Sequence, residues 1–250
     1  SGWRSVRVAA APRYDKLDLD RTGRWTSQSG QDNTVFNLLG RKRRGYFVDL
    51  AANHAVFLSN TRALERDHDW HGLCIEPNPR YWNLLASQRN CTVVGAAVST
   101  DRRQATFIDG STNGKIIKNA TELKNIKPEW DSTWAKRPTG GFFSVITTTF
   151  DDILERFHPP PVIDYLSLDV EGAEELVMGQ FPFDRFNISI LTTERASPRL
   201  QSKLKAAGLR PLCYHGKYGD RLWLNEAVEM PAAAASLQFD ETKWCPQFPE

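Results

Sequence analysis

Nowhere does this sequence hold an apolar run long enough to cross a membrane as a helix, and no secretory signal peptide is visible at its start. The opening Ser1-Gly2 has the form of a cloning scar. The expectation is a soluble domain, cytoplasmic, or lumenal where an upstream anchor has been removed. A surplus of one charge is missing as well. The 32 Lys and Arg stand against 30 Asp and Glu, a formal net charge of +2, which leaves no electrostatic footprint for nucleic acid. The basic run RKRR at 41–44 reads as a solvated helix end. Cysteine is scarce, and Cys74, Cys91, Cys213 and Cys245 lack metal-ligand spacing. Two of them fall in expected strands, so buried free thiols are the default. Sequons begin at Asn90, Asn119 and Asn187, the last leading into an expected buried strand; chance alone supplies a few such matches, so they say little about compartment. What remains is ample for one core: 250 residues, 40% of them hydrophobic. Oligomeric state is not legible.

Glycine is also lacking at one telling place. The stretch YFVDLAANH at 46–54 opens with an aromatic and β-branched run and ends in an acid and a small-residue turn. An amphipathic run follows at 56–70, with Phe57, Leu58 and Leu64 at helical spacing. Strand, tight turn and helix make the first half of a nucleotide-binding βαβ unit, whose ligand sits at the carboxyl end of the strand. A dinucleotide fingerprint needs glycines for close backbone approach to a pyrophosphate. Here the positions are Ala51, Asn53 and Ala55, which disfavours a phosphate cradle and with it a nicotinamide-dependent oxidoreductase. A ligand with a ribose and no phosphate tolerates the extra methyl groups, and S-adenosylmethionine is one. The next apolar run, GLCIEP at 72–77, ends in Glu76, where a βαβ unit places the acid that accepts hydrogen bonds from ribose hydroxyls. The plainer alternative makes Asp49 and Glu76 helix-capping or surface acids.

Along the rest of the chain, residues 1–25 show no period and read as an irregular arm. SQSGQD at 27–32 precedes Val35, Phe36, Leu38 and Leu39 and reads as a capped helix start. A short helix is expected at 81–89, strands at 92–98 and 104–108, and a strand at 144–150 leading into a helix at 151–157. Residues 110–142 are polar, basic and glycine-bearing, with Trp130 and Trp134 the large aromatics. Such an insert reads as a lid or binding loop over an acceptor, or else as disordered chain, with the two tryptophans stacking on sugar rings or packing the lid onto the core. A buried strand at 162–169, a helix through 178, a strand at 187–193, a helix at 198–207 and two closing strands at 209–214 and 221–224 complete the pattern. Strands alternating with helices imply a doubly wound α/β sheet. The domain is taken as 26–230, with 231–250 a poorly specified tail.

The ordered series SQSGQD, YFVDLAANHAVFLSNT, GLCIEPNP, IDYLSLDVEGAE and Thr193-Glu194-Arg195 resembles the FkbM family of S-adenosylmethionine-dependent methyltransferases over roughly residues 26–225. The resemblance implies a Rossmann-like seven-stranded methyltransferase sheet with an antiparallel terminal strand pair. It implies methyl transfer to oxygen, with a sugar, glycan or polyketide hydroxyl as acceptor. Carried onto the motif positions, it places Gln31, Asp49, Ala51, Asn53, Ser59, Asn60, Glu76, Pro77 and Ala97 around the cofactor. The turn departs from the family's more frequent Gly-x-Asn-x-Gly form, having alanines and His54.

The chemistry follows from the donor. A sulfonium methyl is already activated, so the enzyme must align donor and acceptor and help remove the hydroxyl proton. Asp169, Glu171 and Glu194 are expected to gather at one rim of the sheet, with His215 a fourth member. Three carboxylates repel one another unless they share a proton or a cation. Such an oxygen-rich set suits Mg²⁺ or Mn²⁺, or else Glu171 and Glu194 pair with arginines such as Arg195. His54 and His215 are candidate bases, or merely polar lining. A catalytically silent interaction module on the same fold is the competing reading, and intact Asp49, Glu76, Asp169 and Glu194 speak against it.

Overall fold

Near-continuous apolar runs separated by short helices build a parallel sheet covered on both faces. The computed structural model describes residues 25–108, 115–116, 142–216 and 219–248. In chain order the elements are α1 (Gln31–Leu38), β1 (Tyr46–Leu50), α2 (Arg62–His68), β2 (His71–Ile75), α3 (Pro79–Gln88), β3 (Thr92–Val94), β4 (Ala97–Val98), β5 (Gln104–Ile108), β6 (Lys115–Ile116) and β7 (Phe142–Thr148). They continue with α4 (Phe150–Phe157), β8 (Val162–Leu168), α5 (Glu174–Met178), β9 (Asn187–Thr193), α6 (Pro198–Ala206), β10 (Leu209–His215), β11 (Asp220–Asn225) and α7 (Ala232–Ala235). The large sheet is seven-stranded in the order β10-β11-β9-β8-β1-β2-β3, and a four-stranded sheet runs β4-β7-β5-β6. In the large sheet β11 is antiparallel to both its neighbours, while the pairings from β9 through β3 are parallel. The doubly wound sheet with an antiparallel terminal pair is therefore present as expected.

Alternate residues of each central strand enter different halves of the core, the period-2 geometry of a strand. Val48, Leu50, Leu73, Ile75, Leu166 and Leu191 pack with Phe150, Ile153 and Leu154 of α4. Phe47, Cys74, Tyr165 and Ile190 pack with Leu38, Leu64 and Leu85 from the helices of the other face. Gly72 permits the β1–β2 register. It sits opposite Phe47, and a Cβ there would lie 2.0 Å from the Phe47 carbonyl oxygen.

Three expectations need correction. The amphipathic run at 56–70 is helical only over Arg62–His68, because Leu58 adopts left-handed backbone at φ 58°, which no helix accommodates. The strand expected at 92–98 is split between the two sheets, β3 pairing with β2 and β4 with β7. The cysteines are not free thiols: Cys74 bonds to Cys91 and Cys213 to Cys245. Each pair is far apart in sequence and joins in space through strand pairing, which spacing alone does not reveal. The tail, which the sequence leaves poorly specified, packs onto the domain. Phe248 is buried, and Tyr214 exchanges backbone hydrogen bonds with Lys243 and Cys245. The arm at 1–24, most of the insert at 110–142, and Trp130 and Trp134 lie outside the described residues. Among the described residues no helix is long and apolar enough to cross a membrane.

A buried ion pair secures the irregular segment after β1. Arg89 Nε donates to both Glu65 oxygens at 3.2 Å, its Nη1 to Ser59 Oγ at 3.1 Å and its Nη2 to Thr61 Oγ1 at 2.8 Å. Thr61 in turn donates to Asp49 Oδ2 at 2.6 Å. Neither Arg89 nor Glu65 meets solvent appreciably, so removing one partner strands a buried charge. Arg89→Met is expected to cost about 3–5 kcal/mol of stability, and the double variant with Glu65→Leu less than the single. Thermal unfolding of the wild type, both single variants and the double variant checks this; additive losses would show that no coupling exists.

Candidate active site

Parallel strands bring their carboxyl ends to one rim, and in this chain each central strand ends there in a chemically useful residue. β1 runs into Ala51, β2 into Glu76, β8 into Asp169 and β9 into Glu194. β10 ends at the same rim in His215, and antiparallel β11 begins there with Asp220, the partner of His215 in the register. The residues SQSGQD cross this rim from the amino-terminal side. Ser27 bridges Leu58, Thr26 Oγ1 donates to the Ser59 carbonyl at 2.9 Å, and Gln31 Nε2 donates to Asp220 Oδ2 at 3.1 Å.

The residues expected around the cofactor are held by backbone amides. Glu76 is buried, accepting from the Asn53 amide on Oε2 and the Asn78 amide on Oε1, both at 2.7 Å. Ala51, Asn53 and Pro77 frame the same turn and are partly exposed. Asp49 lies wholly inside the sheet, where burial pushes its carboxyl upward against the Thr61 hydrogen bond and Arg89. It thus anchors the loop carrying Ser59 and Asn60. Asn60 Nδ2 donates to Ser167 Oγ at 3.0 Å, and its Oδ1 is buried without a hydrogen-bond partner. Arg62, also buried, leaves Nε and Nη1 unpartnered. Ala97 belongs to the smaller sheet, among Phe107 and Val145.

Asp169, Glu171 and Glu194 converge. One carboxylate oxygen from each lies within 4.8 Å of the others, and Asp169 and Glu194 line a narrow cleft with Gln31, Asn60, Thr193 and Asp220. Glu171 and Gly172 turn the chain through left-handed backbone at φ 52° and 90°. Glycine takes that conformation freely, while a glutamate holds it only under constraint from its surroundings. Arg195 pairs with Glu194 Oε1 and, at 3.6 Å, with Glu171 Oε2, while Glu194 Oε2 is buried with no partner. The Asp169 carboxyl is pushed up to about 8, first by desolvation at the cleft and then by Glu194, Glu171 and Asp220. The side chain still meets solvent, which screens both effects, and the upward direction rests on the crowd of acids around it. Asp220 rises to about 6, again through burial and Glu194.

The two histidines differ. His54 Nδ1 accepts from the Val56 and Phe57 amides, each at 3.1 Å, so the ring is neutral with its proton on Nε2. Burial and Arg62 lower it to about 4. His215 Nδ1 donates to the Ser29 carbonyl at 3.3 Å, which leaves the lone pair on Nε2, a buried atom without a partner. Burial lowers this ring to about 4 as well.

Asp220, Arg62, Thr61 and the Arg89–Glu65 pair escaped the sequence reading. Asp220 follows a glycine-bearing turn at the start of a closing strand, and no local pattern marks it as a rim residue. A second, open hollow lined by Thr149, Asp151, Gln180, Pro182, Asp184 and Arg185 shares no residue with the rim and contains the Arg185–Asp151 ion pair.

The family described as "Methyltransferase FkbM domain" matches residues 49–214 of the chain. No curated protein matches it. Among solved structures, the METTL16 MTase domain (crystal form 2) is similar at 10% identity with a TM-score of 0.43, over 76% of this chain and 64% of that one. Precorrin-6y C5,15-methyltransferase from Geobacter metallireducens GS-15 is similar at 11% identity with a TM-score of 0.37, over 77% and 84%. This chain thus spans less than two thirds of the first of these, and likeness at such levels says nothing of substrate.

Proposed function

Because the chain belongs to the FkbM methyltransferase family, we propose that it is an S-adenosylmethionine-dependent O-methyltransferase acting on a hydroxyl of a sugar or glycan. The observation that carries this reading is the convergence of Asp169, Glu171 and Glu194 at the ends of β8 and β9, beside the turn after β1. The cofactor supplies a methyl group already activated on sulfonium, which leaves alignment and proton removal to the protein.

The residues at the rim fit that group. Glu76 stands where ribose hydroxyls are read, with Ala51, Asn53 and Pro77 around it and Gln31, Ser59 and Asn60 along the neighbouring wall. The orphaned Asn60 Oδ1 suits an ammonium group, and the orphaned Arg62 donors suit a carboxylate, which together match an amino-acid terminus. Asp169 takes the acceptor proton. Its neighbours hold it near neutral affinity for that proton, the range in which a general base works best. Glu194 and Glu171 accept hydrogen bonds from the acceptor's other hydroxyls, steadied by Arg195. His54 has no lone pair to offer, its Nδ1 being engaged by two amides. His215 Nε2 retains one and orients a hydroxyl. The carboxylate set also fits Mg²⁺ or Mn²⁺, hard cations that prefer oxygen and would acidify a bound hydroxyl. Arg195 already bridges two of the three acids, so guanidinium and cation compete.

Donor turnover on a panel of glycans, polyketides and phenols, with and without chelator, tests the proposal. Turnover on saccharide hydroxyls is the expected result. Loss in chelator, restored by Mg²⁺ or Mn²⁺, assigns the three acids to a cation; undiminished turnover leaves them to the proton. Calorimetry that shows no S-adenosylmethionine binding overturns the reading, whether NAD binds instead or nothing does.

A further inference from the structure

We propose that this domain matures in an oxidising secretory compartment and there acquires an N-linked glycan on Asn90. This does not rest on the methyl-transfer reading. Two observations carry it, and the first is the disulfides. All four cysteines are paired, Cys74 with Cys91 and Cys213 with Cys245, across 17 and 32 residues of chain. Cys74, Cys91 and Cys213 are buried, and the bridges tie β2 to the start of β3, and β10 to the tail. Bridges built into the core in this way belong to extracytosolic domains, because the cytosol keeps thiols reduced. Each forms as a thiol pair loses two electrons and two protons to the thiol–disulfide oxidants of that compartment.

The second observation is the placement of the acceptor. Asn90-Cys91-Thr92 is an Asn-X-Thr sequon. Asn90 is exposed in the turn between α3 and β3, and its backbone amide donates to Glu65 Oε1 at 2.7 Å. β3 is the outermost strand of the large sheet, and Asn90 precedes its amino-terminal end. The rim with Asp169 and Glu194 lies at the opposite, carboxyl end of the strands, so a glycan here leaves the site open. Asn187-Ile188-Ser189 begins β9, a strand enclosed by β8 and β11, and its Ser189 is buried; Asn90 is the better acceptor. In the transfer, the Asn90 amide nitrogen bonds to the anomeric carbon of a polyprenyl-diphosphate-linked oligosaccharide. The carbon–oxygen bond to the diphosphate breaks, and the amide proton leaves to solvent. Cys91 sits inside the sequon, so the glycan is added before the Cys74–Cys91 bridge closes over it.

The full-length gene product, tagged and purified from its own cells, is digested with peptide N-glycosidase and its intact mass measured. Release of one oligosaccharide, leaving Asp at position 90, is expected, with no alkylatable thiol before reduction. Asn90→Gln and Thr92→Ala should lack the shift, while Thr92→Ser should keep it, which separates loss of the sequon from failure to fold. No mass change on digestion, a shift that persists in Asn90→Gln, or four reactive thiols in the native protein would each overturn the proposal.

Discussion

Asp169→Asn is expected to lower kcat by about 10²–10⁴-fold, the usual contribution of a positioned general base, while S-adenosylmethionine affinity changes by no more than about twofold. The reason lies in the cluster: Asp169 is the member whose proton affinity is raised to about 8, with Glu194 and Glu171 among the causes. A base must be deprotonated to act, so wild-type kcat/KM rises with pH up to about 8 and the variant loses that limb. Asp169, Glu171 and Glu194 act together, so double variants should lose little more than Asp169→Asn alone. Near-normal rates in Asp169→Asn with Glu194→Gln would remove the role altogether.

The same shift fixes the sign of a stability effect. The carboxyl's ordinary value is 3.8 and its folded value about 8. Between these the folded protein holds a proton that the unfolded chain releases, so stability falls as pH rises through that window. Asparagine removes the penalty. The variant should melt above the wild type at pH 8 and converge with it near pH 4; equal melting temperatures throughout would mean that Asp169 titrates normally in the fold.

The second large effect is expected at Glu76. Two hydrogen bonds to ribose hydroxyls, each about 1.5–3 kcal/mol for a charged acceptor, make Glu76→Ala bind S-adenosylmethionine about 10²–10⁴-fold more weakly. The carboxylate also holds the Asn53 and Asn78 amides at 2.7 Å, so alanine slackens the turn that frames the pocket. Glu76→Gln separates the two contributions. It keeps the side chain's length but turns an NH₂ group toward one of those amides. Calorimetric affinity is measured beside circular dichroism and melting temperature. Affinity unchanged in a folded Glu76→Ala would sink the ribose assignment, and loss of fold in alanine with intact binding in glutamine would make Glu76 a residue of the turn alone.

By itself, the sequence determined the sheet and the ends of its strands. β8 and β9 are buried but for their first residues, and parallel strands covered on both faces are written as near-continuous apolar runs. An acid that ends such a run, as Glu76, Asp169 and Glu194 do, is therefore visible before any contact is known. Helix α6 was legible for a similar reason: Ser197 caps it, Pro198 opens it, and Gly208 follows its end at φ 81°. The tertiary structure alone decided the rest. Periodicity carries the helix at 56–70 too far, because residues 51–61 are tied down by Arg89 and Glu65, which lie outside that segment, at the end of α3 and in α2, and meet only in the folded chain. Asp220 reaches the acid cluster because β11 runs antiparallel, which brings the start of a strand to the rim where its neighbours end. The disulfides, too, join residues that strand pairing brings together. Pattern records what each residue does for its own segment; a buried charge, a thiol or a proton is settled by whichever distant group the fold sets beside it.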